Sequence, residues 1–250
     1  MAMNHTSARL AGRTVRVRIA LFALLLCLFA LPALAFNENR IATDANGQPL
    51  RISGSVVVIE PDIQLSEVLA GGVSEPRKEW TQSARQLYPA AVRGHLGRSN
   101  KTFTADFKIP LDLAPESRMS QIIRLNEAVS MSVLAYSQPG NQLATKGKRL
   151  DWTLGPGVAE LRKATGADYA LFTYLRDSYT SAGRKALRIV GVLLLGGDIG
   201  GGVQVGVTTL VDLRTGQVVW FNFLAKQTGD LRDASGAANT ANAMLKGFPL

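Results

Sequence analysis

Cysteine is almost missing from this chain: its 250 residues include one, Cys27, with two histidines, His5 and His95. A disulfide framework is therefore excluded, and so is a zinc site of ordinary Cys/His spacing. Acidic residues are missing from the first 35 positions, and no repeat recurs at a fixed period, which excludes a solenoid. No serine sits in a G-x-S-x-G elbow, and no glycine-rich run ends in Gly-Lys-Ser/Thr. Nucleophilic hydrolysis and nucleotide-phosphate binding thus lose their usual sequence marks.

What is there begins with a leader. Arg9, Arg13, Arg16 and Arg18 precede an apolar run from Ile19 to Leu31, and Ala33-Leu34-Ala35 offers small residues before Phe36. This pattern predicts a signal peptide over 1–35, cut before Phe36. The alternative is an uncleaved anchor, because Ile19–Ala35 has 17 residues, the lower limit for a span. Cys27 follows Leu26 where a lipoprotein signal needs a small residue, so it goes with the leader. The mature chain, Phe36–Leu250, has 24 Lys+Arg against 19 Asp+Glu, a net charge of +5. These charges are scattered, and with export they exclude nucleic acid as a partner. Mild attraction to an anionic envelope surface fits them. The leader is bacterial in style, which places the protein in the periplasm or on the periplasmic face of the outer membrane.

The mature chain divides into an N-terminal arm over 36–51 and a single α/β envelope domain over 52–250. Val56-Val57-Val58-Ile59 predicts a buried strand within Ser53–Ile59, ended by Glu60-Pro61-Asp62. Gln64–Ser74 reads as a loop, and Ser74-Glu75-Pro76 as the start of a helix that Pro89 kinks or splits. A strand over Lys101–Ile109 and a helix over Glu116–Tyr136 follow, then a short helix over Gly157–Thr165. Alternation predicts strands over Asp168–Arg176, Val203–Leu213 and Gln217–Leu224, with a last helix over Asp233–Leu245. The fold class is α+β: a mixed β-sheet in two or three layers with packed helices and a C-terminal antiparallel hairpin.

Several residues invite a chemical role. His95 stands alone without a second metal ligand. Asp168, Asp177, Asp198, Asp212 and Asp230 invite pairing as acid and base, yet Asp212 precedes Leu213-Arg214-Thr215-Gly216 and orders a turn. Trp220 and Phe221, with Phe223, read as aromatics packed against neighbouring strands. Because Trp220 and Phe221 point to opposite faces, the other reading is that one of them marks a partner surface, with Tyr174 and Tyr179 as weaker candidates. The glycine-rich run Gly196–Gly202 reads as a connector. No catalytic residue, metal ligand or cofactor is assigned.

The apolar insert over 186–202 stands apart. Leu187, Val190, Leu193, Leu194 and Leu195 follow the basic approach Arg184-Lys185 and surround Arg188. Two readings stay open. One is a helix packed on the sheet. The other is an element that enters a bilayer or meets an oligomer partner. In the second, those five residues make a membrane or partner contact.

Gly166-Ala167-Asp168 leading into a strand, and Asp212-Leu213-Arg214-Thr215-Gly216 followed by Trp220, resemble the curli-secretion-channel-like superfamily of bacterial envelope proteins. Its relatives include outer-membrane activators of peptidoglycan synthases and small envelope lipoproteins. The resemblance implies that Asp212, Arg214, Gly216 and Trp220 are structural residues of the hairpin. It also implies a non-enzymatic accessory of envelope assembly, secretion or cell-wall processes. Its partners would be other envelope proteins or further copies of itself, with peripheral membrane contact. This chain departs from most relatives in lacking a lipobox, and its insert is shorter and richer in glycine than channel-forming hairpins. A soluble periplasmic ligand-binding module is the alternative function, and an exported hydrolase the third. The hydrolase would require Asp168, Asp177 and Asp212 to converge in a cleft with raised pKa values.

Overall fold

The strand from Tyr169 to Thr180 is the axis on which the rest is assembled. A computed structural model describes residues 36–97, 106–138, 140–147, 149–181, 202–226 and 230–250. Its strands are β1 (Phe36–Ile41), β2 (Val56–Val58), β3 (Asp62–Val68), β4 (Ser74–Pro76), β5 (Tyr169–Thr180), β6 (Gln204–Asp212) and β7 (Val218–Lys226). Its α-helices are α1 (Lys78–Gly97), α2 (Arg118–Ser137), α3 (Ala159–Thr165) and α4 (Ala234–Met244), with a 3-10 turn at Pro156–Val158 leading into α3.

The strands form one seven-stranded mixed sheet in the order β1-β7-β6-β5-β3-β4, with β2 also on β5. β2 and β3 run parallel to β5, whereas β5, β6, β7 and β1 form antiparallel neighbours. The sheet is not closed into a barrel, since β1 and β4 are its two edges. Alternation along β5 sends Leu171 and Leu175 to one face and Ala170 and Phe172 to the other. The first face packs against α1 and α4 through Ala84, Tyr88, Val92, Ala237 and Met244. The second packs against α2 and α3 through Ile122, Val133 and Leu161. The result is three layers, with both faces of the sheet covered.

Local chemistry explains the ends of several elements. Ser117 caps α2 by accepting the Ser120 N–H at 3.2 Å, and Asp233 caps α4 by accepting that of Gly236 at 2.8 Å. Gly166, at φ 69°, closes α3 and turns the chain into β5.

Four expectations are corrected. Phe36–Ile41, read as part of an arm, pairs with β7 from Phe36↔Ala225 to Ile41↔Trp220. Its polar alternation suits an edge strand, which has little apolar period to display. Pro61 does not end the first strand. It interrupts it, and β3 resumes on the same partner from Asp62↔Tyr174, burying Ile63 and Leu65. Ser74-Glu75-Pro76 is strand β4 rather than a helix start, because a proline is tolerated at the end of an edge strand. Pro89 does not split α1, which runs as one helix over Lys78–Gly97 with Pro89 buried within it. Of the strand expected over Lys101–Ile109, only a bridge between Phe107 and Ile59 lies among the described residues.

Candidate functional site

Three regions bear on function: the C-terminal hairpin, a cleft over α2, and the end of the sheet where β5 and β6 lead into the stretch 182–201. In the hairpin, Asp212 Oδ1 accepts the Arg214 N–H at 2.7 Å, and the Gly216 N–H closes the turn on the Asp212 carbonyl at 2.8 Å. Arg214 also pairs with the Asp212 carboxylate at 3.4 Å. Gly216 has φ 79°, and a Cβ there would lie 2.3 Å from the Gly155 carbonyl oxygen. Trp220 and Phe221 do face opposite sides, but neither marks a partner surface: each is fully buried, one in each core.

The cleft has a volume of about 410 Å³ and opens where Pro61 interrupts the sheet. Asn126 and Ser130, both buried, line it, and Asn126 Nδ2 is committed to Thr209 Oγ1 at 2.8 Å. Its rim polar groups are also engaged within the chain. Glu60 Oε2 accepts the Ile109 N–H at 2.9 Å, Arg85 Nε donates to the Ile63 carbonyl at 3.3 Å, and Asp62 holds Arg176 at 2.9 Å. The cleft therefore has volume, while the polar groups it could offer a ligand are largely committed to holding the fold.

The carboxylates suspected of chemistry do not converge. Asp168 immediately precedes β5 and Asp177 is near its other end, about 30 Å away at ~3.3 Å per residue. The Ser55 backbone N–H, 3.1 Å from Asp168 Oδ2, leads the groups that hold the Asp168 carboxyl below its ordinary value. Burial instead pushes Asp177 up to about 6. Asp230 is held low by Arg232, at 2.6 Å. His95 Nδ1 meets Asn242 Oδ1 at 2.9 Å, a contact between α1 and α4. Asp198 lies outside the described residues. Among the described residues, no three His, Cys, Asp or Glu side chains are grouped to hold a metal ion.

The third region is the best defined. Asp177↔Gln204 is the last rung of the β5–β6 ladder, and beyond it the Ser178 N–H still reaches the Val203 carbonyl at 3.1 Å. The Gly202 N–H donates to Thr180 Oγ1 at 2.9 Å. A Cβ on Gly202 would fall 1.9 Å from the Ser178 carbonyl oxygen, so this close return of the chain needs glycine. Ser181 also donates its N–H to the Val68 carbonyl at 3.0 Å, which brings the β3–β4 turn to the same end. Val73 in that turn is 63% exposed, and Val203, before β6, is exposed as well.

Aromatic and cationic side chains flank this end. Trp80 meets Tyr179 edge-on at 5.5 Å, and the Arg232 guanidinium lies 4.0 Å from the Tyr179 ring centre and 4.9 Å from that of Trp80. Arg77 covers Trp80 at 5.4 Å while paired with Glu67. Sequence reasoning ranked Tyr179 low and missed Trp80 and Arg232 as its neighbours, because their meeting depends on long-range packing. The five apolar residues expected at a membrane or partner contact, Leu187, Val190, Leu193, Leu194 and Leu195, lie outside the described residues. No helix among the described residues is long and apolar enough to cross a membrane.

Comparison with known proteins gives structural neighbours only. No protein-family model matches the chain, and no curated protein does. A solved dodecamer of PelC from Paraburkholderia phytofirmans is similar at 13% identity and a TM-score of 0.39, over 85% of this chain and 95% of that one. Lipoprotein GNA1162 from Neisseria meningitidis is similar at 14% identity and a TM-score of 0.31, over 77% and 93% of the two chains.

Proposed function

We propose that this protein is a non-enzymatic, exported accessory or scaffold of the bacterial envelope, acting through protein contacts and peripheral membrane contact at the 182–201 end of its sheet. The assembly, secretion or cell-wall process it serves would be reached by that contact. One observation carries the reading: β5 and β6 stay paired up to that stretch, so its two flanks, Ser181 and Gly202, emerge together. The sequence between these flanks carries the apolar residues of the insert together with Arg184, Lys185 and Arg188. Basic residues beside an apolar segment are what an anionic membrane surface or an apolar partner favours. The leader over 1–35 and the superfamily resemblance of the hairpin support the same reading. The separation of Asp168 from Asp177 removes the arrangement that an acid–base hydrolase would need.

Fractionation of cells expressing the full chain, coupled to native mass measurement of the purified protein, tests this. The intact protein is expected with the envelope fraction or in assemblies, and a variant lacking 186–202 as a monomer in the soluble periplasmic fraction. A soluble monomer in both cases would sink the reading and favour the ligand-binding module, for which the cleft over α2 is the place to look. Circular dichroism of the variant confirms that the sheet persists.

A further inference from the structure

The inward side of the same sheet end holds a connected chain of polar groups. Asp177 is 4% exposed, on the face covered by α1 and α4. Its Oδ2 accepts the Tyr179 hydroxyl at 2.5 Å and Gln204 Nε2 at 2.6 Å. Tyr179 in turn accepts the Leu231 N–H at 2.7 Å. Gln204 Oε1 accepts the Thr240 hydroxyl at 3.0 Å, and Thr240 accepts Lys226 Nζ at 3.4 Å. One carboxylate thus links β5, β6, β7, α4 and the turn before α4.

The charges facing it are few. Lys226 approaches from β7, and Asp230 with Arg232 from the turn before α4. From α1 comes Trp80, with Arg77 already held by Glu67 of β3. Burial dominates at Asp177: it raises the carboxyl to about 6 despite two donors and the nearby Lys226. Burial and the adjacent carboxylate also push the Tyr179 hydroxyl far above its ordinary value, so Tyr179 remains a donor throughout. Ionisation therefore places a charge where the closed fold disfavours it, and exposing Asp177 to water relieves that penalty.

We propose that the Asp177–Tyr179–Gln204 cluster is a proton-operated latch, closed in acid and loosened toward neutral pH, at the root of the stretch 182–201. Tyr179 is two residues from Ser181, and Gln204 two residues from Gly202, so opening the cluster frees both flanks at once. The pairing of Leu231 to Tyr179 makes the turn before α4 part of the same movement. The consequence for envelope contact rests on the reading of that stretch given above, whereas the latch itself is a property of the isolated protein.

Amide hydrogen exchange of the full mature chain, free in solution, tests it. After correction for intrinsic rates, opening at the Leu231 and Val203 amides is expected to increase about tenfold from pH 5 to pH 7.5, given the ordinary and raised values of the carboxyl. In Asp177→Asn that increase should vanish, while amides in the middle of β6 stay protected. An equal pH response in the variant, or none in the wild type, overturns the latch. The carboxyl carbon resonance of Asp177 gives a reading without mutation: a midpoint near 6 is expected, and one near 4 overturns the proposal. Because neither measurement includes a membrane or partner, the latch can fail while the fractionation result stands, and the reverse.

Discussion

At the scale of single residues, aspartates on one strand behave in opposite ways. Asp168 accepts the Ser55 N–H and hydroxyl at 3.1 and 3.2 Å, and its folded pKa is depressed. Its stabilising contribution is present above the unfolded value and is lost only as pH falls through the folded one. Asp177 has the opposite sign. Its folded pKa is raised, so its contribution is full below about 4 and is lost as pH rises toward 6. Global stability is therefore expected to fall by about 1.4 kcal/mol between pH 5 and pH 7.5, the equivalent of a tenfold change. Asp177→Asn should remove that fall, as measured by urea midpoints at the two pH values with an unchanged slope. Nothing in the sequence distinguished these residues, because Asp168 is held low by Ser55, far away in the chain, and Asp177 is raised by burial beneath helices that only the tertiary fold brings over it.

At the scale of elements, legibility followed how local the determining contacts are. The β6–β7 hairpin was readable from Asp212, Gly216 and the alternation around them, and α2 from the apolar stripe of Ile122, Leu125, Val129 and Val133. β3 was missed because Pro61 resembled a terminator, although Ile63 and Leu65 already carried the period of a buried strand. β4 was mistaken for a helix start because Ser74-Glu75-Pro76 satisfies capping preferences that pairing with β3 overrides. β1 had no apolar signal to give. The stretch 182–201 showed its composition but not which packing it serves, and its five candidates, four leucines and one valine, lie outside the described residues. The hairpin also carries a sharp expectation. Gly216→Ala combines a left-handed backbone with a Cβ 2.3 Å from the Gly155 oxygen, so it should lower stability by at least about 2 kcal/mol. A chemical denaturation curve checks this, and a loss within ~0.5 kcal/mol would mean that the Gly155 segment yields freely.

At the scale of the whole molecule, the mixed sheet with covered faces was legible from the order of elements, while the place of β1 at its edge was not. β7 reads Val218-Val219-Trp220-Phe221-Asn222-Phe223-Leu224, a strand that would be hazardous with an open edge. β1 covers that edge with polar residues, and Glu38 and Arg40 form an ion pair at 2.8 Å on it. Deleting 36–41 is thus expected to produce self-association detectable by light scattering, with aggregates growing as concentration rises. A monomer of unchanged solubility would show that β7 is guarded by something other than β1.

The pairing of β1 with β7 also sets a timetable. In a chain that crosses a membrane N-terminus first, residues 36–41 emerge early, yet their partners run from Trp220 to Ala225, near the opposite terminus. Contacts so distant along the chain form slowly, and this one cannot form at all until almost the whole polypeptide has been threaded. In a chain so exported, completion of the fold would be deferred to the far side of the membrane, where the strand that emerged among the first would be among the last to find its neighbour.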